Sequence, residues 1–474
     1  MSSASQPAAS PETSQTSPNE SSPTEVEPVG FNDPELIQRI EAALEAEGVS
    51  FGTTAKAVFS PLLTIVLWLR QVLHHGSCSA VLLWLVDWSD LLDRARLDTG
   101  NYCRARAKIP TVVVASITRQ TASKAEDEAL LSWCWYGRPV SLLDGATITL
   151  PDTEENQKEF PQPVSQKKGL GFPLMRLVVL LSLATAMLLD LETGPCAGKE
   201  TGETALFRKM LARLPASMIV VADRYFCSYF MIALAMEAGI DVVFRLHQRR
   251  DADFTKGKRL GEGDRLIVWQ RPARPDWMSE EEYAEMPEKL TVRMIRGKVT
   301  QPGYRAKEIT IVTTLTDAKA YRRDQLLELY HQRWQVELDI RSIKTTMQME
   351  MLKTKTPEMC RSEVWMHALA YNLARQQAIK AALVGGCEPR DISLSDARKV
   401  AQNRCDKGLQ KLAGGPRSRP VSEVVDYHLS KRRVRNRPGR CEPRAVKRRP
   451  KPHKLLTEPR EVARAKLLRG EAAA

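Results

Sequence analysis

No stretch of this chain is built to cross a membrane as a helix. Its longest uncharged apolar run, Leu177 to Leu189, falls short of the ~20 residues a spanning helix needs. Residues 1 to 28 contain no Lys or Arg and no apolar core, which argues against a signal peptide there. There is no Cys-x-x-Cys pair. The nine cysteines (Cys78, Cys103, Cys134, Cys196, Cys227, Cys360, Cys387, Cys405, Cys441) are odd in number and scattered. That pattern argues against a zinc module and for a reducing compartment. His-Glu-x-x-His, a Gly-rich phosphate loop, a dinucleotide fingerprint and a Ser/His/Asp order are all missing, so hydrolases of those kinds are poor candidates. Negative charge is in deficit too: 57 acidic residues face 70 basic ones, a net charge of +13 with pI near 9.3. The balance favours a polyanionic partner, nucleic acid ahead of a membrane surface. A cytoplasmic, soluble protein is expected.

At 474 residues the chain exceeds what one hydrophobic core supports, and two or three domains are expected. Residues 1–30 read as a disordered leader, because Ser, Pro, Thr, Glu and Gln bury too little apolar area to offset ordering entropy. Residues 31–132 read as a helical domain, with Leu36, Ile37, Ile40 and Ala43 at helix spacing. Over 133–247 short β-type runs alternate with helices. Val140 to Leu143 and Ala146 to Leu150 look like strands paired across Asp144-Gly145, and Leu177 to Leu189 has room for two more. Thr201 to Leu214 and Cys227 to Ala238 read as helices, Met218 to Ala222 and Asp241 to Leu246 as strands. The fold class implied is α/β with a mixed sheet. Residues 248–308 look like a mostly β insertion, and 309–384 return to the core with a strand at Glu308 to Thr314 and one long helix from Gln325 to about Gln348, capped by Asp324. Residues 385–474 form a basic C-terminal region, with 12 basic residues between Lys431 and Lys454 against the single acid Glu442. Its Pro and Arg content suits an extended arm on a polyanion, or a merely solvated tail.

On the long helix, Tyr330, Arg333, Glu337 and Lys344 fall at about 0°, −60°, −20° and −40° around the axis, at roughly 100° per residue. Val336, Ile340, Ile343 and Met347 cluster about 80° away and can seat the helix on a sheet. A carboxylate flanked by Arg, Lys and a phenol suits a phosphodiester site, where the acid holds a cation and the basic groups bind phosphates. A solvated helix face presents the same residue types.

The spacing Tyr-x2-Arg-x3-Glu-x6-Lys resembles the signature of the insertion-sequence-4 family of DDE transposases. Two further segments are similar to that family's aspartate regions: Asp144-Gly145-Ala146-Thr147 through Leu150-Pro151-Asp152-Thr153 and Glu155-Asn156, and Ala222-Asp223-Arg224-Tyr225-Phe226. Gly100-Asn101-Tyr102-Cys103-Arg104-Ala105-Arg106 is similar to a stretch of the helical N-terminal region of many members. Two departures stand out: Ala146 where many members have Thr, and Tyr225 where many have Gly. Neither touches a carboxylate.

The resemblance implies an RNase H-like catalytic core, interrupted by the β insertion and preceded by a helical DNA-binding domain. It also implies Asp144, Asp223 and Glu337 as catalytic, metal-holding carboxylates. Two Mg²⁺ ions, replaceable by Mn²⁺, suit such hard oxygen ligands. Tyr330, Arg333 and Lys344 would bind DNA phosphates. The implied partners are double-stranded DNA, both transposon inverted repeats and target, and a second copy of the chain in a homodimeric synaptic complex, so that the protein would be nucleoid-associated when bound. Trp269 and Trp277 could line a pocket for a flipped base, or simply pack, and Arg224 and Arg245 could touch phosphate or be solvated. Read without the family, Asp144-Gly145 is also a type I′ hairpin signal, and Asp223 is also a helix cap. A catalytically silent DNA-binding protein and a general nuclease on the same fold are the alternatives to a transposase.

Overall fold

The structure is a computed structural model that describes residues 34–51, 59–88, 98–167, 169–299, 307–412, 423–434 and 457–469. The N-terminal leader and residues 435–454 of the basic run lie outside the described residues. Helices α1 (Pro34–Ala46), α2 (Pro61–Leu73), α3 (Cys78–Trp88), α4 (Thr99–Ala107) and α5 (Thr111–Asp127) open the chain. Local chemistry starts two of them. Ser60 Oγ accepts from the Leu63 N–H at 3.2 Å with Pro61 at the first helical position, and Asp98 Oδ1 accepts from the Asn101 N–H at 2.6 Å. Leu36, Ile40 and Ala43 are buried, as their helical spacing requires.

The sheet elements follow in the order β1 (Val140–Thr149), α6 (Glu154–Glu159), β2 (Leu174–Ser182), β3 (Leu188–Pro195), α7 (Glu203–Leu211), β4 (Ile219–Ala222), α8 (Tyr229–Glu237) and β5 (Asp241–Arg245). Next come β6 (Lys258–Gly261), β7 (Asp264–Gln270), α9 (Glu280–Glu285), β8 (Lys289–Val299) and β9 (Lys307–Thr313). The chain then turns helical: α10 (Arg323–His331), α11 (Trp334–Thr345), α12 (Pro357–Gly385), α13 (Leu394–Leu412), α14 (Glu423–Ser430) and α15 (Arg460–Leu468). All nine strands join one mixed sheet, ordered β3-β2-β1-β4-β5-β9-β8-β7-β6. Strands β1, β4 and β5 run parallel, and the remaining pairings are antiparallel. Strands β6 to β8 therefore extend the sheet beyond β9, in line with the α/β class read from the sequence.

Side chains alternate between the two faces of a strand. Val140, Leu142, Ile219, Val221 and Val243 point to one face, where they share a core with α1, α2, α5 and α10 to α13. Leu143, Val220, Ala222, Val242 and Phe244 point to the other, which α7 and α8 cover. The sheet is thus sandwiched between helical layers.

Two local expectations are corrected. Asp144-Gly145 is not a hairpin turn but the middle of the ten-residue strand β1, with Asp144 opposite Val179 and Gly145 opposite Val178. A type I′ turn needs positive φ at both positions, and neither residue has it. Pairing with β2 along the whole length of β1 outweighs the local turn preference. The expected single helix from Gln325 to Gln348 is two helices, α10 and α11, joined at Gln332–Arg333. There the N–H groups of Arg333, Gln335 and Val336 bond to the carbonyls three residues back, tightening the turn. Asp324 lies inside the first turn of α10, and the N-cap position is Arg322.

Candidate active site

The parallel pairing of β1, β4 and β5 stops at one level. Leu143 of β1 pairs with Ala222 of β4, and Ala222 pairs with Phe244 of β5. Asp144, Asp223 and Arg245 follow these three residues and stand in a row where the parallel pairing stops, Asp144 in the middle of β1, which runs on to Thr149 against β2, and the other two at the carboxyl ends of β4 and β5, about 4.8 Å from strand to strand. Strict alternation turns Asp144 toward the face of Val140 and Leu142, the side on which α11 packs against β1. The crevice beyond the carboxyl ends of parallel strands is where open α/β sheets place ligands.

Helix α11 brings in Glu337. Between it and β1 stands Arg333, whose Nη1 lies 3.3 Å from Asp144 Oδ2 and whose Nη2 lies 2.6 Å from Glu337 Oε1. Asp144 Oδ1 accepts from the Gly145 N–H at 2.8 Å. Asp223 Oδ1 accepts from the Tyr225 N–H at 2.7 Å and caps a single 3-10 turn at Arg224–Phe226, so capping occupies one oxygen of this carboxylate. Burial pushes the Asp144 carboxyl above its ordinary value. The Gly145 N–H and Arg333 oppose that push, while the negative charges of Asp223 and Glu337 add to it.

Sequence reading missed a fourth acid. Glu203, the first residue of α7, lies over Gly145, where a β-carbon would fall well inside contact distance of its carboxylate. Burial raises its pKa, and the charges of Asp144 and Asp223 raise it further while Arg176 opposes them. In the sequence it looks like any acid in the first turn of a helix, and nothing local marks it.

Tyr330 and Lys344 stand differently with respect to the carboxylates. Tyr330 is 8% exposed, and its phenol is pushed up to about 12 by burial, with Arg333 and Arg245 opposing and Asp223 adding. Lys344 sits half-buried two turns beyond Glu337, with its Nζ 4.0 Å from Glu350 Oε1. Arg224 is exposed and bonds Gln248 Oε1 at 3.0 Å. Trp269 and Trp277 are covered by arginines of their own surroundings. Arg250 covers the ring of Trp269 at 4.1 Å and Arg208 that of Trp277 at 3.7 Å, as packed aromatics are covered.

Several carboxylates in mutual electrostatic reach, two of them with raised pKa, mark a site short of positive charge. Hard oxygen donors there suit a divalent cation. Against this, among the described residues no three His, Cys, Asp or Glu side chains converge on one point that could hold a metal ion. The guanidinium of Arg333 explains the difference, because it fills the gap between Asp144 and Glu337 with its own positive charge. The residue chemistry fits a divalent metal, provided Arg333 moves.

The transposase DDE domain family matches residues 135–373, half of the chain, a span that contains Asp144, Asp223 and Glu337. Transposase InsG for insertion sequence element IS4, from Escherichia coli strain K12, is 28% identical over 324 residues, covering 67% of this chain and 69% of that one. A cryo-EM structure of a piggyBac transposase synaptic complex with hairpin DNA aligns with TM-score 0.40 and 10% identity, covering 86% of this chain and 84% of that one. A likeness as low as this last one carries no weight for site or mechanism. The family match and the InsG alignment agree with the Tyr-Arg-Glu-Lys signature, and the chain belongs to the DDE transposases of the insertion-sequence-4 kind, enzymes of DNA transposition.

Proposed function

We propose that this transposase cleaves transposon inverted-repeat ends and joins them to target DNA, with Asp144, Asp223 and Glu337 holding two Mg²⁺ ions, replaceable by Mn²⁺. Divalent-metal dependence follows from the family in general terms, and the choice of Mg²⁺ rests on the all-oxygen donor set. When bound, the ions would supply charge stabilisation to the attacking and leaving oxygens of the phosphodiester. The observation that carries the reading is the meeting of Asp144 and Glu337, 193 residues apart in sequence, on the two sides of one guanidinium. An RNase H-like core is supported by the β3-β2-β1-β4-β5 order with β1, β4 and β5 parallel.

The chain's own residues divide the remaining work. Arg333 neutralises Asp144 and Glu337 in the resting site and turns to a DNA phosphate when the end docks, which frees both carboxylates. Tyr330, neutral across the working pH range, backs Arg333 and limits its swing. Lys344, about 10 Å further along α11, binds a second phosphate. The helical domain over 31–132 and the basic region over 385–474 supply further DNA contacts around a core split by the 248–308 segment, and a homodimer holds two ends in synapsis.

Glu337→Gln tests the assignment. The variant should bind inverted-repeat DNA as the parent does and lose Mg²⁺-dependent cleavage of it. Cleavage at the parental rate would overturn the reading.

A further inference from the structure

Glu337 and Asp339 sit two residues apart on α11, about 200° around the axis, so they leave opposite faces of the helix. One faces the active site. The other is 2% exposed and turns into the protein.

Asp339 is gripped from two sides. Its Oδ1 accepts from Arg375 Nη2 of α12 at 2.8 Å, and its Oδ2 from Arg390 Nη1 at 2.7 Å. Arg375 Nε donates to Tyr371 Oη at 2.9 Å, and that hydroxyl donates to the Ala186 carbonyl at 2.9 Å. Arg390 donates to the Leu183 carbonyl at 2.6 Å and the Ser182 carbonyl at 2.7 Å. Both chains therefore end on the turn between β2 and β3. Strand β2 is paired with β1 along its whole length, with Ser182 opposite Ser141 on the strand that carries Asp144.

A buried ionic network of this kind is poor evidence of stabilisation, since apolar side chains of similar volume often serve a fold as well or better. Its directional value is different. Each contact made by the two arginines is a charge-assisted hydrogen bond with fixed geometry, and together they define the rotation of α11 about its own axis. At about 6 Å from that axis, a rotation of about 10° would displace the Glu337 carboxylate by about 1 Å. A misplacement of that size at a reacting centre costs about 10²-fold in rate.

We infer that Asp339, clamped by Arg375 and Arg390 to the β2–β3 turn, is a positioning residue that sets the azimuth of α11 and so the placement of Glu337 relative to Asp144. The inference rests on the proposed metal-holding role of Glu337. It assigns the network to geometry at the metal site, on the side of the helix away from it.

A matched control exists within the same fold. Asp190 on β3 is also 2% exposed and also held by two arginines, Arg119 at 2.8 Å and Arg213 at 2.9 Å, but these tie it to α5 and to the end of α7 rather than to α11. Asp339→Asn and Asp190→Asn should lower thermal stability alike. Only Asp339→Asn should lower kcat for end cleavage, by about 10²-fold with KM for DNA unchanged, and only it should weaken Mn²⁺ binding, read by electron paramagnetic resonance on the complex with pre-cleaved end DNA. Should Asp339→Asn not fold, Arg390→Lys decides: it keeps the charge, but a single ammonium cannot span Asp339 and both carbonyls, so the same two readouts should fall. Parental kcat and Mn²⁺ affinity in a folded Asp339 or Arg390 variant, or an equal fall in Asp190→Asn, would overturn the inference. Glu337→Gln run alongside separates the two ideas. An active Glu337→Gln removes the metal-site reading itself, whereas an inactive one beside unaffected Asp339 variants removes only the positioning role.

Discussion

Replacing Arg333 by Ala should make the DNA-free protein bind its metal more tightly, the reverse of what loss of an active-site residue usually does. Arg333 meets Asp144 at 3.3 Å and Glu337 at 2.6 Å, so a cation can use both carboxylates only after those contacts are broken. Hydrogen bonds between charged groups contribute about 1.5–3 kcal/mol when shielded, and exposed ion pairs about 0.2–1 kcal/mol. The three side chains are 19%, 21% and 33% exposed, between those limits, which puts the two contacts together at about 2 kcal/mol. At a factor of ten per ~1.4 kcal/mol, Mn²⁺ affinity should rise roughly 30-fold in Arg333→Ala without DNA. Linkage makes a second demand. If a DNA phosphate draws Arg333 away, pre-cleaved end DNA should raise the parental Mn²⁺ affinity by a comparable factor, and Arg333→Ala should lose that coupling. Mn²⁺ titrations followed by electron paramagnetic resonance, with and without the duplex, measure all four affinities. Equal or weaker Mn²⁺ binding by the DNA-free variant would refute the idea that the guanidinium blocks the site.

Two further outcomes are expected. Gly145→Ala would place a β-carbon on the Glu203 carboxylate, the far end of a flexible, half-buried side chain that can swing aside, so in urea melts it should cost less than the ~1–3 kcal/mol of overpacking a core and nothing further in a Glu203→Ala background; a loss that persists without Glu203 would contradict this placement. Burial, with help from Lys353, pushes buried His367 down to about 4 from an ordinary value near 6.5; Glu363 and His75 are its other titratable neighbours. The unfolded chain takes up this proton below about 6.5 and the folded chain only below about 4, so the contribution is whole above pH 6.5 and lost as pH falls toward 4. His367→Gln should remove about 2 kcal/mol of the stability lost between pH 7 and pH 5, and an unchanged pH slope in denaturant melts would contradict the burial of this ring.

Periodicity and composition carried the α/β class, the opening helix with Leu36, Ile40 and Ala43 inside, and the strands before Asp223 and around Val242, because each depends on a pattern within a few residues. The Tyr-Arg-Glu-Lys spacing carried the family, since a short motif survives in the order of its residues even though Tyr330 lies on α10, Arg333 in the joint and Glu337 and Lys344 on α11. Asp144-Gly145 misled, because its turn signal is local whereas its strand is held by β2, some 30 residues further on. The break at Gln332–Arg333 was hidden as well: neither residue is a helix breaker, and the tightened turn shows only in the bonds to carbonyls three residues back. Glu203 beside Gly145 and the clamp on Asp339 have no signature in one dimension, since each exists only as a distance between segments remote in sequence. The sequence by itself determined the types of element and the chemistry available to them; the tertiary structure alone decided which charges face one another, because strand register and helix azimuth are set by partners no local window contains.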